Sequence, residues 1–86
     1  MAESLSVSVI SPERMLFEGK ATSVVAPAHD GEMGILSAHA PLMTILGKGL
    51  LRLETSAGEV RFSVSGGFLQ IVDDEIRVVT EQATQL

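Results

Sequence analysis

Four residues in the first half of the chain, His29, Asp30, Glu32 and His39, are of types that hold metals or move protons. Two imidazoles and a carboxylate make a zinc ligand set when their spacing suits. Here the spacing matches no ligand pattern, and the residues straddle glycine-dependent turns. His29-Asp30-Gly31 reads more simply as a tight turn in which Gly31 supplies a positive φ. Glu32 and His39 as an acid–base pair find no nucleophile and no oxyanion site to serve. No catalytic, cofactor or metal residue is therefore assigned. Gly47-Lys48-Gly49 is not a phosphate loop, since the upstream glycine and the following Ser/Thr of that motif are missing. It reads as a hairpin tip with the lysine in solvent.

The elements that would position these residues repeat with a period of two. Leu5, Val7 and Val9 alternate with Ser4, Ser6 and Ser8; Leu51 and Leu53 with Arg52 and Glu54; Val60, Phe62 and Val64 with Arg61, Ser63 and Ser65; Ile76 and Val78 with Arg77 and Val79. Each run reads as a half-buried antiparallel strand. Turn residues separate the runs at Ser11-Pro12-Glu13-Arg14, Glu18-Gly19-Lys20, Ala28-His29-Asp30-Gly31, Ser56-Ala57-Gly58 and Asp73-Asp74-Glu75. Short strands at regular intervals predict an all-β sandwich or barrel without substantial helix. The expected core is Leu5, Val7, Val9, Val24, Leu51, Leu53, Phe62, Val64 and Ile76. Met15, Met33 and Met43 are expected as core or interface fillers. Gly66-Gly67 between two apolar runs predicts a bulge or a close backbone approach. The pattern fades after Glu81, which predicts a domain over 1–82 and a loose tail over 83–86.

Eighty-six residues make one domain with a small core. An apolar content of 45% is too high for a disordered segment. A net charge of −5 with no Lys/Arg cluster argues against nucleic acid and anionic lipid surfaces as partners. The chain contains no cysteine, so neither a disulfide framework nor a thiolate site is available. Met1-Ala2-Glu3-Ser4 lacks the basic and apolar regions of a signal peptide, and no run approaches the ~20 apolar residues of a membrane span. Any work at a membrane is expected to go through protein partners.

Taken in order, Ser11-Pro12-Glu13, Val24-Val25-Ala26-Pro27, Gly31-Glu32-Met33-Gly34-Ile35, His39-Ala40-Pro41-Leu42 and Ser65-Gly66-Gly67-Phe68-Leu69 resemble the epsilon subunit family of F-type ATP synthases, called delta in mitochondria. The resemblance runs from Leu5 to about Gln82. It implies a ten-stranded antiparallel β-sandwich without an active site. It also implies a central-stalk rotor subunit of a proton-translocating enzyme, joining the gamma subunit to the c ring on the cytoplasmic face of the energy-transducing membrane. The helical hairpin that usually follows the sandwich in this family is not in the sequence. By resemblance, Gly31, Glu32, Met33 and Gly34 form a loop facing the c ring, with Glu32 set to pair with an arginine there. Ser11, His39 and Leu42 match positions facing gamma. A second reading rests on a likeness to biotinyl and lipoyl carrier domains, acidic all-β units that present their modified lysine at a hairpin tip; Lys48 would be that lysine.

Overall fold

The computed structural model describes residues 4–86; residues 1–3, which bear on the signal-peptide reading, lie outside them. Eight strands follow one another: β1 Leu5–Ile10, β2 Met15–Ala21, β3 Ser23–Ala28, β4 Gly31–Ile35, β5 Leu42–Ile45, β6 Lys48–Thr55, β7 Gly58–Val72 and β8 Glu75–Gln85. No helix occurs among the described residues. The hydrogen-bonded order is β2-β1-β8-β7-β6-β3-β4, with β5 also on β7.

The two longest strands define the architecture. Residues 58–65 of β7 pair with β6, and residues 68–71 pair with β5. β8 meets β1 over residues 75–79 and leaves it beyond. One layer therefore holds β2, β1, the first part of β8, the last part of β7, and β5. The other holds β4, β3, β6, the first part of β7 and the last part of β8. Burial records the crossing. In β7 the inward residues are Phe62 and Val64, then Leu69 and Ile71, so the inward phase changes from even to odd at Gly66-Gly67. In β8 it changes after Thr80, where Ile76, Val78 and Thr80 give way to Ala83. The change of phase keeps the apolar side chains of each half directed at the core, since alternate side chains point to opposite sides of a strand. The layers meet at Phe17 of β2 and Phe62 of β7, whose rings stack edge to face with centroids 6.5 Å apart.

Gly66 and Gly67 permit this crossing. Both have positive φ, at 75° and 101°. A Cβ on Gly67 would overlap the Val79 carbonyl oxygen and lie 2.7 Å from Thr80 Cα. The pair is a close backbone approach rather than a bulge, since the β7–β8 register is the same on both sides of it. Thr80, the one buried polar residue of the described core, donates its hydroxyl to Gln82 O at 2.8 Å.

All nine residues expected in the core are buried. Three expectations need correction. The strands number eight, not ten, because β7 and β8 run unbroken through both layers where a sandwich of separate sheets would count each twice. The pairing is mixed, since β1 lies parallel to β8. The tail expected from residue 83 is strand: Ala83, Thr84 and Gln85 pair with Val64, Ser63 and Phe62.

Candidate functional site

The residues weighed for metal or acid–base chemistry are not brought together. His29 and Asp30 form the two-residue turn between β3 and β4, and His39 lies in the loop before β5. Among the described residues no group of three or more His, Asp or Glu side chains is placed to share a metal ion. The His39 loop is shaped locally. Ala38 takes a φ of 66°, its N–H donates to Asp74 Oδ1 at 2.6 Å, and His39 Nδ1 lies 2.8 Å from Ala40 O. Asp73 and Asp74, both at positive φ, form the two-residue turn of the β7–β8 hairpin.

Lys48 is not at a hairpin tip. β5 and β6 share one register along β7, interrupted only where Leu46 N donates to Gly67 O and Gly66 N to Gly47 O. Gly47 marks the bend of a nearly continuous strand, and Lys48 already pairs with Ser65. The presentation that a carrier domain needs is therefore missing.

The Gly31-Glu32-Met33-Gly34 segment is strand, not loop. It is most of β4, the outer strand of its layer, paired with β3 alone. Met33 turns inward and packs against the core. Glu32 turns outward and pairs with Arg52 of β6 at 3.4 Å. That contact offsets a like-charge opposition, because Arg52 is registered against Arg61, which has its own partner in Glu59 at 3.6 Å.

Ser11, His39 and Leu42 all belong to the other layer, yet they do not converge. Ser11 closes the β1–β2 turn, its N–H bonded to Arg14 O at 2.9 Å. Leu42 is registered with Ile71 at the far end of the layer and packs on the core. Strand spacings put the two roughly 20 Å apart.

What the register does assemble is a row of apolar residues on the outer face of this layer. Ile45 pairs with Phe68, Phe68 with Val79, Val79 with Ile10, and Ile10 with Met15. The ends of the row are open, Ile45 at 63% and Met15 at 49% exposure, and Met43 adjoins it at 62%. The outer face of the other layer carries the Arg52–Glu32 and Arg61–Glu59 pairs instead. Single exposed apolar residues are ordinary, but a contiguous row marks a contact surface. Alternation alone did not show this row. Its signal was present as doublets, since Val9-Ile10, Met15-Leu16, Ile45-Leu46, Phe68-Leu69 and Val78-Val79 must each turn one apolar side chain outward in a strand.

Comparison with known proteins follows the whole of the described chain. Residues 4–86 match the family described as ATP synthase, Delta/Epsilon chain, beta-sandwich domain. The chain is 44% identical over 85 residues to the ATP synthase epsilon chain of Syntrophomonas wolfei, covering 96% of this chain and 62% of that one. It is 40% identical over 87 residues to the ATP synthase epsilon chain of Rhizobium meliloti, covering 100% of this chain and 65% of that one. It thus spans less than two thirds of the length of these relatives. In fold it is similar to a chain of the Euglena gracilis mitochondrial ATP synthase, with a TM-score of 0.88 at 21% identity, covering 95% of this chain and 53% of that chain. A chain of the Tetrahymena thermophila mitochondrial ATP synthase central stalk and c ring gives a TM-score of 0.73 at 13% identity, covering 95% and 66%.

Proposed function

The chain belongs to the delta/epsilon β-sandwich family of ATP synthases, and on that premise we propose that it works as a non-catalytic rotor subunit of the central stalk, coupling ion-driven rotation of the c ring to the gamma subunit. The observation that carries this reading is the match over residues 4–86, joined to a sandwich with two unlike outer surfaces. The apolar layer, which also bears Ser11, His39 and Leu42, is assigned to gamma. The β4 edge with Gly31, Glu32, Met33 and Gly34 is assigned to the polar loops of the c ring. A gamma interface of standard size would bury ~1,200–2,000 Å² with an apolar centre, and the row from Ile45 to Met15 supplies such a centre. The ring contact suits a smaller polar surface, because the ring presents equivalent loops in turn. Peripheral attachment at the cytoplasmic face of the membrane, through partners alone, follows from the same assembly.

The test is Ile45→Glu. The residue faces outward at 63% exposure, so the domain should keep its fold. A carboxylate buried without a partner at an apolar interface weakens association by ~2–5 kcal/mol, which is at least a thirtyfold rise in Kd for gamma. An unchanged Kd in titration calorimetry would place gamma elsewhere.

A further inference from the structure

The two ends of the hydrogen-bonded order, β2 and β4, are edge strands, and an edge offers unpaired N–H and C=O groups to another chain. On β2 the register tells which groups are open. Ser6 N–H is spent on Asp74 O of the β7–β8 turn, at 2.9 Å. Ser6 and Ser8 therefore turn their main-chain groups towards β8, and Val7 and Val9 turn theirs towards β2. Gly19 and Phe17 are registered with Val7 and Val9, so they bond to β1. The N–H and C=O of Glu18 and Lys20 point the other way, into the open edge. Both side chains are exposed on the outer side of the strand. Among the described residues neither belongs to an ion pair, and Lys20 Nζ donates to Ser6 Oγ at 2.8 Å. Gly19, between them, faces inward, where an added Cβ would stand 3.2 Å from the Phe17 ring. Phe17 thus closes the inner side at this point.

From this edge we infer that the uncomplexed chain pairs with a second copy of itself, β2 against β2, antiparallel about a two-fold axis at Gly19. The contact is isologous, the same surface on both copies. Glu18 of each copy lies opposite Lys20 of the other and exchanges both main-chain hydrogen bonds with it. Opposite charges then face one another across the ladder on the outer side. Gly19 meets Gly19 at the closest approach of the two backbones, where no side chain intervenes. Phe17, half-buried, gains Ala21 of the second copy beside it on the inner side. The charges single out this register. An axis at Glu18 or at Lys20 sets like charge against like, and an axis between residues sets inner face against outer. Charge, the usual protection of an edge, thus turns away strands of other pattern while admitting this one. β4 has no such symmetry, since Glu32 is its one charged residue and pairing about Met33 sets it against Gly34. The contact is a few residues long, well below the ~1,200 Å² of a stable interface, so the dimer is weak, with Kd on the order of 0.1–1 mM.

Sedimentation equilibrium on the uncomplexed chain, from about 0.05 to 2 mM so as to bracket that Kd, should show a dimer fraction rising with concentration. Glu18→Lys and Lys20→Glu each set like charges across the ladder at both symmetric positions, and each should raise Kd at least tenfold at low salt. Mixed in equal amounts, the two variants should pair as the parent does, because each then supplies the charge that the other lacks. The double variant Glu18→Lys with Lys20→Glu should pair with itself for the same reason. Recovery in either form shows that the variants are folded. At high concentration amide exchange should slow at Glu18 and Lys20 and stay unchanged at Gly19, whose N–H β1 already holds. A parent that remains monomeric at the top of the range overturns the inference. If the single variants are monomeric and their mixture is too, the charges do not face one another and the register is wrong. A dimer that both single variants retain but Ile45→Glu loses lies on the apolar row instead, and overturns it as well.

Discussion

Gly67→Ala tests whether the crossing of the long strands holds the sandwich together. Two costs arise at this position. An L side chain at a φ of 101° is strained, by ~1–3 kcal/mol. The new Cβ also overlaps main-chain atoms, Val79 O and Thr80 Cα, which cannot swing aside as a side-chain end would. Forcing the strands apart adds ~1–3 kcal/mol, as overpacking does in cores. The sum, ~2–6 kcal/mol, is a large share of the roughly 4–13 kcal/mol that the whole domain is worth at ordinary stability per residue. Gly58→Ala is the matched control. Its φ is 118°, and nothing lies within 4 Å of the added Cβ, so it bears the strain without the overlap. In urea the two variants should unfold at midpoints differing by ~1–3 M, taking a slope of about 1 kcal/mol/M for so small a domain. Coincident midpoints would mean that the β7–β8 ladder yields at no cost, and the argument from close approach would be wrong.

Two further outcomes follow from the same packing. Phe62→Ala, which empties a fully buried ring position and removes the edge-to-face contact with Phe17, should lower unfolding free energy by ~3–5 kcal/mol in the same titration. Glu32→Lys replaces the partner of Arg52 with a like charge on an exposed edge, so stability should change by only ~1 kcal/mol or less. In reconstituted membranes it should impair ion-driven ATP synthesis more than gamma binding, and the reverse result would exchange the two proposed surfaces.

Alternation found nine of the sixteen buried apolar residues because one face of each strand is buried and the other is not; it missed Leu69 and Ile71, which follow the change of phase at Gly66-Gly67. The same criterion fails where burial is absent. β4 reads as a loop because two of its five residues are glycine and its outward side is open. The end of β8 reads as a tail because Gln82, Thr84 and Gln85 are polar and Ala83 alone marks a face. Yet main-chain pairing with β7 is indifferent to side chains, and it carries the strand to Gln85. Gly47-Lys48-Gly49 shows a different limit. A glycine pair marks a change of direction, but whether the chain reverses or only bends depends on β7, which lies well downstream. The apolar row is the extreme case, since its five members come from five strands and only the register makes them neighbours. Ser11, His39 and Leu42 were chosen singly by resemblance, and the fold puts them on one layer without making them one site.

The crossing strands also bear on how such a body would carry load. With gamma on the layer of β1 and β2 and the ring against β4, as proposed, torque would pass from one layer to the other. In a sandwich of two separate sheets that path would run through side-chain contacts alone. Such contacts are sums of atom pairs worth only ~0.1–0.2 kcal/mol each, and packed surfaces can slide past one another as they do in shear motions. Here β7 and β8 run unbroken between the layers, and β5–β6 does so with one bend at Leu46-Gly47. Shear between the faces must therefore stretch main chain and its ladder of hydrogen bonds rather than slide one packed surface over another. On this account the stiffness of the domain resides in the Gly66-Gly67 crossing. A substitution there should loosen coupling between the two surfaces even under conditions where each surface, tested singly, still binds.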